Sequence, residues 1–138
     1  MREILFRGKG TSGFSAGKWI EGFYVKDFWA PASSGHGIIP ADRERGGYCE
    51  VYPDTVGQFT GVTANEKKIF EGDIVKGLFL FGMEIMAVVV FRDGAFGLQW
   101  NRGEVTEFSA FTSLCNVQYE VVGNIYDNPE LLNGGNEE

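Results

Sequence analysis

Reactive side chains are scarce in this 138-residue sequence, which has two cysteines and a single histidine. Cys49 and Cys115 form neither a CxxC pair nor a zinc spacing, and two thiols cannot supply the dense disulfide framework of small secreted domains. They read as buried free thiols. His36, set between Gly35 and Gly37, is expected on an exposed, flexible loop. Paired with Cys49 it would give a nucleophile and a base, but no third group is in place to orient them. With Asp27 and Asp42 it matches no metal-cage spacing. Gly8-Lys9-Gly10 and Gly94-Ala95-Phe96-Gly97 lack the Walker and dinucleotide-binding patterns. No metal, no cofactor and no catalytic residue is therefore assigned.

Basic side chains are also in deficit, with 12 Lys and Arg against 19 Asp and Glu and a formal net charge of -7. That balance argues against wrapping a nucleic-acid backbone, where each phosphate contact needs a cation. Aromatics beside cations can still stack bases. Trp19 near Lys18, Trp29 near Lys26 and Trp100 near Arg102 are the available pairs, although packing explains each more simply. Glu21, Asp54, Glu71 and Asp73 could meet as an acid–base pair, but in so acidic a chain solubility accounts for them. Long apolar runs are missing too. The longest, Ile74 to Phe91, is broken by Lys76, Gly77, Gly82 and Glu84, and falls short of the ~20 apolar residues a membrane helix requires. The opening MREILFRGKG has no sustained apolar signal-peptide core. A cytoplasmic protein with no membrane partner is expected.

Glycine and phenylalanine, by contrast, are plentiful. Twenty glycines is about twice the usual share of roughly 7%, and twelve phenylalanines contribute to a 43% hydrophobic content. Most of the glycines fall singly between apolar runs, as turns and bulges do in a small β-protein. A chain of this length buries roughly two thirds of its unfolded surface, enough for a core without staples. One domain over residues 1–132 is expected, with Asn-Gly-Gly-Asn-Glu-Glu (133–138) as a disordered tail.

Candidate strands are Glu3–Arg7, Lys18–Val25, Tyr48–Tyr52, one beginning at Ile74-Val75, an antiparallel pair Leu78–Phe81 and Glu84–Phe91 turning near Gly82-Met83, Ala95–Trp100, Glu104–Phe108 and Tyr119–Ile125, with Gly37–Pro40 as a brief edge strand. Asp93-Gly94 is the clearest hairpin signal, since it suits the type I′ turn that matches strand twist. Beyond it Phe96, Leu98 and Trp100 share one face. Phe111 to Leu114 reads as a short helical or irregular element. The least regular stretch is Lys26 to Gly47, a long insertion of the kind that tends to be functional. Short strands, glycine turns and little helix point to a mainly β, small, strongly bent barrel, because closing the sheet would hide its apolar edges.

The segments Thr55-Val56-Gly57-Gln58-Phe59-Thr60-Gly61 and Ile69-Phe70-Glu71-Gly72-Asp73-Ile74-Val75 resemble the central signature of the YopX family. Val121-Val122-Gly123-Asn124-Ile125-Tyr126-Asp127-Asn128-Pro129-Glu130-Leu131-Leu132 is similar to its closing motif, and Arg2-Glu3-Ile4-Leu5-Phe6-Arg7 to its usual start. The resemblance implies a protein of phage or prophage origin in a bacterial cytoplasm. It also implies a mainly β domain related in shape to SH3-type barrels, and it brings no activity. Within these segments Gly57 and Gly61 suggest tight turns around Phe59. In Glu71-Gly72-Asp73, Gly72 can take positive φ and Asp73 can accept bonds from its own turn. Asn124 reads as a backbone-bonding turn residue and Pro129 as a stop for the last strand.

The leading functional reading is a non-enzymatic protein-interaction module, an argument from fold analogy. A weak nucleic-acid-binding accessory protein comes second, and a small hydrolase third. Phe28 and Trp29, in the long insertion, are candidate anchors with Asp42, Arg43, Glu44 and Arg45 as a polar rim. The competing expectation has Phe28 and Trp29 capping an open barrel end. Self-association is expected from the excess of apolar strand surface, and a host or phage protein is a possible further partner.

Overall fold

The computed structural model describes residues 3–26, 35–42, 47–78, 82, 84–114 and 118–134, with backbone alone for 133 and 134. The chain divides into two compact units, Met1–Gly61 and Val62–Glu138.

In the first unit, β1 (Phe6–Lys9) lies beside β2 (Trp19–Lys26), antiparallel, with Phe6 opposite Gly22 and Lys9 opposite Trp19. β3 (His36–Pro40) continues from β2, with Phe23 opposite Ile39, and β4 (Cys49–Glu50) adds to β3. On the far side of β1 begins β5 (Gly57–Ala64), paired as Phe6 to Gln58. Period-two alternation sends Phe6, Ile20, Tyr24, Ile38 and Cys49 to one face. There they pack with Val51 and Val56. Gly8 allows this packing, because a Cβ there would stand 2.9 Å from that of Val51.

In the second unit, the end of β5 turns through Asn65 and Glu66 into β6 (Lys67–Phe70). Both turn residues have positive φ, 51° and 68°, as a type I′ hairpin demands. A meander follows: β7 (Asp73–Leu78), β8 (Glu84–Arg92), β9 (Ala95–Arg102) and β10 (Val105–Ala110). β11 (Gln118–Asn124) then returns to pair with β7, giving the order β10-β9-β8-β7-β11. Asp93 and Gly94, at φ 52° and 83°, form the turn expected between β8 and β9, with Arg92 opposite Ala95. Leu98 and Trp100 face the core built by Ile69, Val75, Ala87, Val89 and Leu114. Phe96 meets its cross-strand partner Phe91 edge-on at 4.9 Å. Phe111–Ser113 forms a single 3-10 turn, and α1 (Glu130–Gly134) is the one α-helix among the described residues.

The expected SH3-type, strongly bent barrel is not what forms. The β content and the scarcity of helix stand, but both sheets are open: among the described residues the first and last strands of each order do not pair with each other. Closure is one way to hide sheet edges, and here most of the edges are blunted instead. β4 is two residues long, β10 places Thr106 and Glu107 along its edge, and β11 is interrupted by a register shift between Val121 and Gly123, which leaves Gln118–Glu120 as the regular part of its edge. Two further expectations change. Gly37–Pro40 belongs to a five-residue strand between β2 and β4, not at an edge. His36 lies in that strand, not in a loop. Of the expected tail, 135–138 lies outside the described residues, while the backbone of 133 and 134 ends α1.

Leu98, at 1% exposure, gives a direct test of the second core. Truncation to Ala should cost about 2–5 kcal/mol through lost transfer energy and a residual cavity. Urea unfolding followed by tryptophan fluorescence measures it.

Candidate functional site

The anchors proposed from sequence, Phe28 and Trp29, and the rim residues Arg43, Glu44 and Arg45 lie outside the described residues. Asp42 is described and exposed, just past β3. Cys49 is a buried free thiol, with Sγ 3.9 Å from the Gly47 carbonyl, and Cys115 lies outside the described residues. His36 is hydrogen-bonded through Nδ1 to the Tyr24 hydroxyl, and the two rings stack 5.7 Å apart. Among the described residues no group of three or more His, Cys, Asp and Glu is placed to hold a metal ion. Nor, among them, is any helix long and apolar enough to cross a membrane.

Two of the segments that carry the family resemblance, Ile69–Val75 and Val121–Leu132, meet in one place within the second unit. Asp73, 2% exposed, turns its Oδ2 back to accept the Phe70 backbone N–H at 2.8 Å. Gly72, at φ +89°, donates its N–H to Val89 and accepts the Ile125 N–H, both at 2.9 Å. Any Cβ at Gly72 would press on the Tyr126 ring at 3.0 Å, in a backbone conformation that side chains resist. From the other strand Asn124, opposite Asp73 in the ladder, accepts the N–H groups of Tyr126 and Asp127 on Oδ1, at 3.0 and 2.9 Å. Its own N–H goes to Asn128 Oδ1 at 3.3 Å, and its carbonyl takes the Asn128 N–H at 2.8 Å. Gly123 lies under Asn128, where a Cβ would come within 2.6 Å of Oδ1. Pro129 then leads into α1, its carbonyl accepting the Leu132 N–H. Glu71 completes the β6–β7 turn. The result is a clasp between the β6–β7 turn and the exit of β11, made of polar groups bonded to backbone. Gly57, Phe59 and Gly61 lie elsewhere, on β5. Phe59 is buried and donates its N–H to Leu5, and Gly61 takes φ +88°.

Two surfaces went unseen in the sequence. The first is the outward face of the first-unit sheet, where Arg7, Lys9, Trp19, Glu21, Phe23 and Ile39 share strand parity. Phe23 and Ile39 are directly opposite each other and remain 54% and 43% exposed. The Arg7 guanidinium lies 4.7 Å from the Trp19 ring centroid and the Lys9 ammonium 5.8 Å. These are cation–π distances. Lys18, the neighbour the sequence offered to Trp19, has the opposite parity. The second surface is a groove of about 770 Å³ in the second unit, lined by residues that include Leu78, Leu114, Tyr119 and Glu120. Burial pushes the Tyr119 phenol above its ordinary pKa, because the anion loses hydration there.

Replacing Asn124 by Ala should destabilise the protein by about 1–3 kcal/mol, since two N–H groups lose their acceptor in a partly buried turn. Thermal or urea unfolding of the variant reads this directly. Replacing Thr106, whose hydroxyl donates to Asn101 Oδ1 at an exposed site, is the control and should shift stability by no more than about 0.5 kcal/mol.

Among curated proteins none matches the chain. The family described as YopX protein matches over residues 20–133, a span that includes β2 from Ile20 onward, the β6–β7 turn, β11 and the clasp. A match over that span carries the assignment, and the chain belongs to the YopX family.

Proposed function

We propose that the chain is a non-enzymatic protein-interaction module, and that its principal contact surface is the outward face of the first-unit sheet. The observation that carries this reading is the Phe23–Ile39 pair, two large apolar side chains side by side in a ladder and about half exposed. Single exposed apolar residues are ordinary, whereas contiguous ones rimmed by polar groups mark contact sites. Trp19 lies on the same face, four residues before Phe23, and Arg7, Lys9 and Glu21 supply the rim.

Charge favours a second copy of the chain as the occupant. Residues 1–61 carry seven basic and seven acidic side chains, and residues 62–138 carry five against twelve. A neutral unit can approach its twin without net repulsion. The face itself bears both signs, so a two-fold pairing can set Arg7 and Lys9 of one copy against Glu21 of the other. The nucleic-acid reading is weaker, because the cations that would attract phosphates lie over the indole ring on which a base would stack. The hydrolase reading is weaker too, because the polar residues of the clasp bond backbone. With the phage origin that the family implies, the setting of this reading is the bacterial cytoplasm.

Light scattering over a dilution series tests the reading. The wild-type chain should show a dimer mass that dissociates on dilution, and the double variant Phe23→Thr, Ile39→Thr should be monomeric with an unchanged melting temperature. A strictly monomeric wild-type chain at micromolar concentration, or an undiminished mass in the variant, would count against it.

A further inference from the structure

The groove in the second unit has one wall made by consecutive residues of an edge strand. Gln118, Tyr119 and Glu120 open β11, and Thr63, Ala64 and Asn65, at the end of β5 and its turn, also line the space. β11 terminates the order of its sheet, with β7 as its one neighbour among the described strands. An antiparallel strand directs its backbone N–H and C=O groups alternately to its two sides. Half of those in β11 therefore point away from β7.

We infer that this groove takes an extended, lysine- or arginine-bearing segment of a partner protein, which pairs with the β11 edge as an additional strand. The free edge supplies the backbone bonds by which such segments are held, and side-chain pockets supply selectivity. A strand added there would present alternate side chains to opposite faces. One set meets Tyr119 and Leu114, which belong to or pack on the apolar core. The other meets the charged face, where Glu120 is opposite Lys76 in the ladder. Lys76 is already engaged by Glu84 at 3.4 Å. Two carboxylates against one ammonium leave a wall that favours a cation. The excess of twelve acidic over five basic side chains in this unit adds a field of the same sign. The volume, about 770 Å³, is large enough for several side chains. This groove is lined by residues of the second unit and the Phe23–Ile39 pair belongs to the first, so the two readings are tested by different variants.

The test uses the ¹⁵N-labelled full chain titrated with a capped peptide that alternates valine and lysine, and with its valine–glutamate counterpart. The expected result is a set of amide shifts concentrated at Gln118–Val121 and Thr63–Asn65, produced by the basic peptide alone. Glu120→Lys, a change at an exposed position, should weaken that binding about tenfold, the effect of one charge-assisted contact. No shift at these residues, equal binding of the acidic peptide, or undiminished affinity in Glu120→Lys would each overturn the inference.

Discussion

The second unit depends on a short-range problem solved at a distance. The β6–β7 turn leaves the Phe70 N–H inside the molecule, and Asp73 must turn back to accept it. A carboxylate at 2% exposure is costly to bury unless its oxygens are bonded, and an amide without an acceptor costs about 1–3 kcal/mol. The turn holds only with Gly72 in a left-handed conformation, and the Gly72 carbonyl then takes the Ile125 N–H. Asn124 fixes the chain beyond β11 by accepting two N–H groups on one oxygen. The meander is thereby tied to its last strand, and β11 is held at the edge of the sheet, next to β7.

The clasp bears on function, because the residues that carry the family resemblance are occupied in building the fold. Asp73 Oδ2, Asn124 Oδ1 and Asn128 Oδ1 each accept backbone N–H groups, and the Asn124 amide donates to Asp127 Oδ2 within the same turn. What they hold in place lies around them: the edge of β11, the wall with Glu120, and the core face with Tyr119. In the first unit the corresponding constraint is close packing. Gly8 admits Val51, the inward face fills with Ile20, Ile38 and Cys49, and Phe23 and Ile39 are left on the outside. The surfaces available for contact are what remains after each unit has satisfied its interior.

Local chemistry was legible in the sequence and non-local pairing was not. Asp93-Gly94 announced its hairpin because the required φ values are a property of those two residues, and the parity of Leu98 and Trp100 followed from it. Whether the sheet closes depends on which strand finds which neighbour, and nothing near Cys49–Glu50 in sequence says that it will shield β3. The same limit hid the cations on Trp19. They come from Arg7 and Lys9, across the β1–β2 ladder, and not from adjacent Lys18. The exposed Phe23–Ile39 pair was hidden because alternation identifies two faces without saying which of them will be covered.

The central claim is that the segment after β11 is an integral part of the second unit through its bonds to Asn124 and Gly72. Native-state hydrogen exchange of the backbone amides measures this most directly. The Ile125, Tyr126 and Asp127 N–H groups should exchange through the same cooperative opening as those of Val75 and Val89 in the core strands. Rapid exchange of these three amides, as in a frayed terminus, while Val75 and Val89 stay protected would contradict the account.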